Sequence, residues 1–357
     1  MWNNSVELLF TLGLLVAFAG CSPSSPAPAA APVTAESESV KNYPAYGNVK
    51  KMDDRLDALI APGQRMELLG SGYDWSEGLV WVDEYDFLLF SDIPKNKVHK
   101  WSEAEGVTDY LEPSGFTGAY SSSKEPGSNR LVIDPAGKLL LCQHGDRRIA
   151  RMEAPLDAPE AKFTTVVAEY EGKRLNSPND AIYHQNGDLY FTDPPYGLPG
   201  VGESSSKELD FQGVYRLPAD GGPLQLLTKE LDRPNGLAFT PDHQHLIVGN
   251  SDRANWNWTK YPVKPDGSLG AGKVIWEQQT WADEGVGGPD GMRMHSSGHL
   301  FATGPGGVLV FHPDETLLGI IKTGQKTGNV TFDGEEEYLY INADSLLLRI
   351  ELLPLTK

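Results

Sequence analysis

The sequence contains only two cysteines, Cys21 and Cys142, in 357 residues. Two cysteines so far apart exclude a Cys-X-X-Cys metal site and a disulfide framework. Basic residues are also scarce: 30 Lys and Arg stand against 49 Asp and Glu, which gives a net charge of −19. A surface of that sign repels phosphate backbones and attracts cations, so nucleic acid is not an expected partner.

Two common catalytic motifs are missing as well. The absence of a Gly-X-Ser-X-Gly segment counts against an acyl-serine hydrolase. The absence of a Gly-X-X-X-X-Gly-Lys segment removes the usual phosphate-binding loop. No helical periodicity is sustained along the chain, and this favours β structure.

The N-terminal segment has the pattern of a targeting sequence. An apolar run at 8–19, too short to span a bilayer comfortably, ends in Phe18-Ala19-Gly20-Cys21 before a Ser/Pro/Ala-rich stretch. This pattern is similar to a bacterial lipoprotein signal and predicts a signal peptide over residues 1–20, with Cys21 as the lipidated first residue. An ordinary cleaved signal peptide is the alternative.

Residues 21–45 are predicted to be a disordered tether, because their composition cannot bury a core. Together with the lipid signal, this tether predicts a protein of the bacterial cell envelope, in the outer membrane or periplasm if the source is Gram-negative. Its contact with the membrane would be made only through the N-terminal lipid. With Cys21 lipidated, Cys142 is expected to be a small buried hydrophobic residue.

A strand-pair repeat organises the rest of the chain. The stretch from Asn176 to Gly197 contains two short runs around an Asn186-Gly187 turn, a strong signal for a β-hairpin. Six such units, each opened by a polar residue, recur at intervals of 39 to 56 residues. The opening residues are Glu77, Asn129, Asn179, Asn235, Asp290 and Asn329. This period predicts an all-β fold, a six-bladed β-propeller over residues 46–357.

Two further expectations concern how the last blade is completed and how the blades pack together. The run at 346–352 is expected to complete a blade with a strand from the other end of the domain. Four tryptophans, Trp256, Trp258, Trp276 and Trp281, are expected to pack between blades, with a sugar-stacking platform as the alternative.

The opening residues also predict a central divalent-metal site. In a propeller the innermost strands line a channel, so residues at equivalent positions converge near one mouth of it. Glu77, Asn179, Asn235 and Asp290 would supply two carboxylates and two amide oxygens. That set suits Ca²⁺ or Mg²⁺ and then Mn²⁺, with Zn²⁺ possible. Taken singly, Asn-Gly and Asp-Gly are also ordinary turn signals.

His144 is a candidate for proton transfer. It lies at a predicted strand end, just before Arg147 and Arg148. The pKa of a histidine suits proton transfer near neutral pH. A purely structural role is the alternative.

Several longer segments carry a resemblance to a known family. They are Glu77-Gly-Leu-Val-Trp, Gln143-His-Gly-Asp-Arg-Arg, Lys173-Arg-Leu-Asn-Ser-Pro-Asn-Asp, Tyr190-Phe-Thr-Asp-Pro-Pro-Tyr-Gly, Arg233-Pro-Asn-Gly-Leu-Ala-Phe and Gly288-Pro-Asp-Gly-Met. In this order they resemble the gluconolactonase branch of the senescence-marker protein/regucalcin-like six-bladed propellers.

The resemblance implies a cation, most often Ca²⁺, held by Glu77, Asn235 and Asp290, with Asn179 as a fourth ligand or a substrate contact. It also implies that Asp290 acts as the base. Arg174 and Asn176 are candidates for contact with substrate hydroxyls. Asn129 is a further candidate, although Arg130 follows it where the family usually has Gly.

The expected function is hydrolysis of a sugar lactone to the aldonic acid. The cation would polarise the lactone carbonyl while Asp290, or His144, takes a proton from the attacking water. One alternative is a hydrolase of another class, acting on aryl lactones or phosphotriesters. The other is a propeller that binds metal without turnover. Specificity is expected to depend on the loops at 112–128 and 198–212.

Overall fold

The computed structural model describes residues 41–201, 203, 205–277 and 281–354. The predicted signal peptide, Cys21 and most of the predicted tether lie outside these residues. Within the described ranges, no helix is long and apolar enough to cross a membrane.

The strands alternate with short turns along the whole described chain. The N-terminal strands are β1 (Ala45–Tyr46), β2 (Asn48–Lys51) and β3 (Met66–Ser71), with a 3-10 helix at Asp54–Ala58. Blade 1 contains β4 (Ser76–Val82), β5 (Phe87–Asp92), β6 (Lys97–Ser102) and β7 (Gly106–Leu111). Blade 2 contains β8 (Ser128–Ile133), β9 (Leu139–Gln143), β10 (Arg148–Met152) and β11 (Phe163–Val167), and a small hairpin follows in β12 (Glu169–Tyr170) and β13 (Lys173–Arg174).

Blade 3 contains β14 (Ala181–Tyr183), β15 (Leu189–Asp193), β16 (Gly213–Leu217) and β17 (Gln225–Thr228). Blade 4 contains β18 (Pro234–Phe239), β19 (His245–Asn250), β20 (Asn257–Pro262) and β21 (Lys273–Glu277), followed by a 3-10 turn at Ala282–Glu284. Blade 5 contains β22 (Met292–Met294), β23 (Leu300–Gly304), β24 (Gly307–Phe311) and β25 (Leu317–Lys322), with β2 on its outer edge. Blade 6 contains β26 (Thr327–Phe332), β27 (Tyr338–Ala343) and β28 (Leu346–Glu351), with β3 and then β1 added outside β28. All paired strands are antiparallel, and the predicted six-bladed, all-β propeller is confirmed.

The hydrophobic core consists of clusters between neighbouring blades. One cluster joins Leu89 of blade 1 to Leu141 of blade 2, and another joins Leu347 of blade 6 to Leu88 of blade 1. Four more clusters fill the other junctions. Each blade therefore buries both of its faces against the neighbouring blades. This burial explains why strands such as β5 are apolar on both sides.

Blade 6 is built from both ends of the domain. Leu346 of β28 pairs with Ser71 of β3, and Arg349 pairs with Glu67. Arg349 also donates to the Glu67 carboxylate at 2.6 Å. The prediction that the last strand completes a blade with an N-terminal strand is confirmed.

The ordered domain begins earlier than predicted. Ala45 pairs with Glu67 in the outermost strand pair, and the ring of Tyr43 lies 6.4 Å from that of Trp101. The predicted tether boundary at residue 45 is therefore late by at least three residues, because this short segment pairs with β3 and packs on blade 1. Cys142 is buried, as expected.

Candidate functional site

The six opening residues form a ring at the start of the innermost strands. Glu77, Asn129, Asn235 and Asn329 lie within β4, β8, β18 and β26, while Asn179 and Asp290 lie two residues before β14 and β22. Hydrogen bonds connect this ring from blade to blade: Ser91 Oγ to Asn129 O (3.0 Å), Arg130 N to Asn179 O (3.1 Å), Thr192 Oγ1 to Asn235 O (2.8 Å) and Gly236 N to Asp290 O (3.1 Å). The backbone that carries the side chains is fixed by these contacts.

Glycine follows three opening residues, Glu77, Asn235 and Asp290, because neighbouring blades approach closely there. A Cβ at Gly236 would lie 2.1 Å from the carbonyl oxygen of Asp290. At Gly78, where φ is +64°, a Cβ would lie 1.9 Å from the carbonyl oxygen of Asn129. The Glu77-Gly78 and Asn235-Gly236 pairs are therefore required by packing around the channel, and not only by turn formation.

A pocket lies over this ring. It has a volume of about 490 Å³, within the range of small-molecule sites. Five of the six opening residues line it, together with aromatic and charged side chains from the surrounding loops. The lining residues are Trp75, Glu77, Glu125, Asn129, Asn179, Tyr196, Arg233, Asn235, Ser251, Asp252, Arg253, Trp256, Gly287, Gly288, Pro289, Asp290 and Lys326.

Two carboxylates in this pocket, Glu77 and Asp290, interact electrostatically. Glu77 is 1% exposed, and its Oε2 accepts hydrogen bonds from Gly78 N (3.0 Å) and Asn329 Nδ2 (3.2 Å). Its buried Oε1 has no hydrogen-bond partner in the described part of the chain. Burial raises the pKa of Glu77 to about 8. Burial, and then the charge of Glu77, raises the pKa of Asp290 well above its ordinary value.

These features fit a divalent cation. An unpartnered buried carboxylate oxygen and a second carboxylate repelled by it would both be stabilised by a positive charge between them. Among the described residues, no three His, Cys, Asp or Glu side chains gather to hold a metal alone. A cation here must also use amide oxygens, such as those of Asn179 and Asn235, and this favours Ca²⁺ or Mg²⁺ over Zn²⁺.

The sequence left the role of Asn329 open, and the structure places it under Glu77. While its Nδ2 donates to Glu77, its Oδ1 accepts from Arg130 Nη1 at 3.0 Å. Arg130 is fully buried, and its Nε lies 3.3 Å from Asp180 Oδ1. The arginine that replaces the usual glycine therefore places a fixed positive charge inside the ring.

Three sequence-predicted site residues do not line the pocket. His144 is fully buried, and burial lowers the pKa of its ring to about 3. Asn176 is also fully buried, where its Nδ2 donates to the carbonyls of Asp193 and Phe211, both at 3.0 Å. Arg174 is exposed and donates from Nη2 to the Asp146 carbonyl at 3.1 Å. As placed, Asn176 and Arg174 support the backbone of neighbouring loops, and neither lines the pocket. The structure does bring together Glu77, Asn179, Asn235, Asp290 and Asn129.

Sequence reasoning missed several pocket residues. The tryptophan cluster divides: Trp258, Trp276 and Trp281 pack in the core between blades 4 and 5, as expected, whereas Trp256 lines the pocket. Tyr196 belongs to the Pro-Pro-Tyr-Gly segment noted in the sequence, but the sequence did not indicate that its side chain lines the pocket. Glu125 comes from the 112–128 loop, which was expected to affect specificity, but the sequence did not single out this residue.

Comparisons with known proteins agree with this fold. Residues 75–344 match the family described as SMP-30/Gluconolactonase/LRE-like region. A gluconolactonase of Zymomonas mobilis is 39% identical over 331 residues, covering 90% of this chain and 92% of the relative. The solved structure of a gluconolactonase from Xanthomonas campestris has 32% identity and a TM-score of 0.74, covering 88% of this chain and 99% of that one.

A more distant structure shares the fold. It is a calcium-binding protein, regucalcin, from Agrobacterium tumefaciens, with 18% identity and a TM-score of 0.61, covering 80% of this chain and 93% of that one. The family match covers most of the chain, and the Zymomonas relative is similar over nearly its whole length. The chain therefore belongs to the SMP-30/gluconolactonase/LRE-like family, in its gluconolactonase branch.

Proposed function

We propose that this protein is a carboxylic ester hydrolase that opens a sugar lactone to the aldonic acid. The observation that carries the proposal is the pair of carboxylates, Glu77 and Asp290, set with two amides in one pocket over the channel. The similarity to gluconolactonases at 39% and 32% identity supports the substrate class.

A divalent cation is part of the proposal, and the oxygen donors present favour Ca²⁺. Glu77, Asn179, Asn235 and Asp290 would hold it. When bound, it would supply Lewis-acid polarisation of the lactone carbonyl. Asn329 orients Glu77 for this role, because it holds Oε2 and leaves Oε1 directed to no other group in the described part of the chain.

The remaining lining residues suit a small polyol ring. Trp75, Tyr196 and Trp256 present aromatic surface of the kind that packs against the C–H faces of sugars. Tyr196 is held by a hydrogen bond to Ser251. The Arg233 guanidinium carbon lies over the Tyr196 ring, 5.6 Å from the ring centroid. Asn129 and Ser251 offer hydrogen bonds to substrate hydroxyls.

The test of this proposal is a substrate panel with metal control. We expect the purified protein to release acid from glucono-1,5-lactone in a pH-stat, and to do so faster than from an aryl lactone or a phosphotriester. Chelation should abolish turnover, and Ca²⁺ should restore it. Faster turnover of a phosphotriester would assign another ester class, and lactone hydrolysis unaffected by chelation would remove the cation from the proposal. A protein that binds Ca²⁺ but turns over nothing in the panel would be the non-catalytic alternative.

The cell-envelope location is a separate proposal that rests on the N-terminal sequence. A single acyl chain anchors a protein only marginally, so we expect multiple acylation at Cys21. Cys21→Ser should move the protein from the membrane fraction to the soluble fraction. Cys142→Ser is the matched control, because Cys142 is buried in blade 2 and should not affect fractionation. A Cys21→Ser protein that stays with the membrane would contradict the lipid anchor.

A further inference from the structure

Glu125 is one of two carboxylates in the pocket, with Asp252, that lie outside the four predicted metal ligands. It comes from the loop between β7 and β8, lines the pocket together with Asp290, and keeps 34% of its side chain exposed. It forms no ion pair with a Lys or Arg in the described part of the chain, and its carboxylate lies beside the ring of His144.

The backbone that directly follows Glu125 is hydrogen-bonded to two blades. Gly127 N donates to the Ile93 carbonyl at 2.9 Å, which ties the loop to blade 1. His144 N donates to the Gly127 carbonyl and Gly145 N to the Pro126 carbonyl, each at 3.1 Å, which ties it to blade 2. The end of this loop therefore gives Glu125 a defined position over the pocket.

His144 lies directly behind Glu125. Its Nδ1 is 3.8 Å from Glu125 Oε2, and the ring also interacts with the Glu125 backbone, although neither ring nitrogen meets the geometry of a normal hydrogen bond among the described residues. The ring is confined, since a Cβ at Gly197 would come within 2.8 Å of His144 Cγ. A small rotation of the Glu125 side chain would bring its carboxylate into hydrogen-bond range of the buried His144 ring, whose other polar contact is the Glu125 backbone.

We propose that Glu125 is the catalytic residue that carries the proton in lactone hydrolysis, and that His144 is a positioning residue that holds the Glu125 carboxylate. This inference rests on the proposed lactonase function and deepens it. It replaces the sequence-based assignment of the base to Asp290 or His144. The geometry separates the two tasks: one set of oxygens binds the cation, and another carboxylate accepts the proton.

The proton and electron count of the step is balanced. As the water oxygen bonds to the lactone carbonyl carbon, Glu125 takes one water proton and the carbonyl π pair moves onto the carbonyl oxygen. When that oxyanion returns to a carbonyl, the bond from carbon to ring oxygen breaks. Glu125 then gives its proton to the ring oxygen, so the hydroxy acid forms and the carboxylate is restored.

Glu125 suits this role better than Asp290 for two reasons. Asp290 is engaged by the side chain of Asn235 and is placed to bind the cation, and a bound dication lowers the basicity of its ligand. Glu125 stands outside that ligand set. In addition, burial raises the pKa of Glu125 to about 7, near the value at which a group both accepts and returns a proton.

The decisive experiment compares Glu125→Gln with Glu112→Gln in the full-length protein with saturating Ca²⁺. Glu112 begins the same loop but is exposed and pairs with Lys97, outside the pocket. We expect Glu125→Gln to lower kcat by roughly 10²- to 10⁴-fold, the contribution of a general base. Its KM and its Ca²⁺ affinity by calorimetry should stay close to those of the parent, and Glu112→Gln should behave as the parent.

Substitutions at His144 test the positioning role. His144→Gln keeps an N–H donor and should retain more kcat than His144→Phe, which keeps a ring without a donor. In the Glu125→Gln background, His144→Phe should cause no further loss, because a positioning residue acts only through the group it holds. Melting curves identify any variant that fails to fold, and the Glu125→Gln result stands without the His144 series.

The outcomes separate this inference from the proposed function. An active parent with an equally active Glu125→Gln variant overturns the role of Glu125 alone. Additive losses at positions 125 and 144 overturn the role of His144. A parent that prefers another ester class overturns the substrate assignment, and the same variants then test Glu125 on that ester. A parent without any turnover overturns both.

Discussion

Glu77→Gln is expected to abolish Ca²⁺ binding and lactone hydrolysis together. The substitution removes one of two carboxylates from the predicted site and replaces the unpartnered Oε1 or the Asn329-bound Oε2 with an amide nitrogen. Substituting a residue that only supports a metal ligand lowers metal affinity by about 10- to 100-fold. Substituting a ligand itself should therefore lower the affinity by at least about 100-fold. Calorimetry with Ca²⁺ and a pH-stat assay measure the two losses.

The same variant should be more thermostable than the parent when both are metal-free. Without a cation, Glu77 and Asp290 repel one another in a buried setting, and the neutral amide removes that repulsion. Ca²⁺ should raise the melting temperature of the parent but not of the variant. Glu84→Gln, in the exposed turn between β4 and β5, is the matched control and should change neither property. A Ca²⁺-dependent rise that survives in Glu77→Gln would place the cation elsewhere.

Arg130→Met should produce the largest loss of stability among these variants. The side chains of Arg130 and Asp180 are 0% and 4% exposed, so the substitution leaves a buried carboxylate without its compensating cation. Breaking a buried pair in this way costs about 3 to 5 kcal/mol. It also removes the donor that holds Asn329 beneath Glu77, so Ca²⁺ affinity should fall as well. Denaturant unfolding of the metal-free protein measures the first effect.

The loss in Arg130→Met should depend on pH and on Asp180. Burial raises the pKa of Asp180, and Arg130 opposes that rise. Without Arg130 the folded-state pKa rises further above the unfolded value. The variant should therefore be closest to the parent at pH values below the ordinary Asp pKa of about 4, and fall behind as pH increases.

The double variant Arg130→Met/Asp180→Asn tests this explanation. It should recover much of the stability and lose the pH dependence, because neither buried charge remains. A double variant as unstable as Arg130→Met, with the same pH profile, would mean that the arginine acts mainly through packing.

The ring could be predicted from the sequence because each of its positions is defined by the short repeat unit of its own blade. Each blade begins with a polar residue and continues with an apolar run and a turn, so the period, the blade count and the six converging positions can all be read from one alignment of the chain with itself. The two carboxylates at Glu77 and Asp290 followed from the same register. The closing pair β3 and β28 was also within reach, because an unpaired final strand needs a partner.

The rest of the site depends on tertiary contacts that sequence spacing does not encode. His144 is at a strand end as predicted, but the 112–128 loop covers it and places Glu125 in front of it. Arg174 precedes Asn179 by only five residues, yet the chain turns its side chain toward Asp146. Trp256 and Trp258 are two residues apart, and one lines the pocket while the other is 0% exposed in the core. Loop paths decide all three placements.

The pairing of β3 with β28 has a consequence for how the molecule folds. Ser71 must find Leu346, 275 positions later in the chain, before blade 6 exists. Linear repeat proteins can add or lose units from their ends, since each unit depends only on its neighbours. A closed ring has no terminal unit to lose, and its final junction has the highest contact order in the protein. During synthesis β3 therefore waits without its partner until almost the whole chain is available. We expect folding to finish in one late, cooperative step, despite a sequence written as six similar parts.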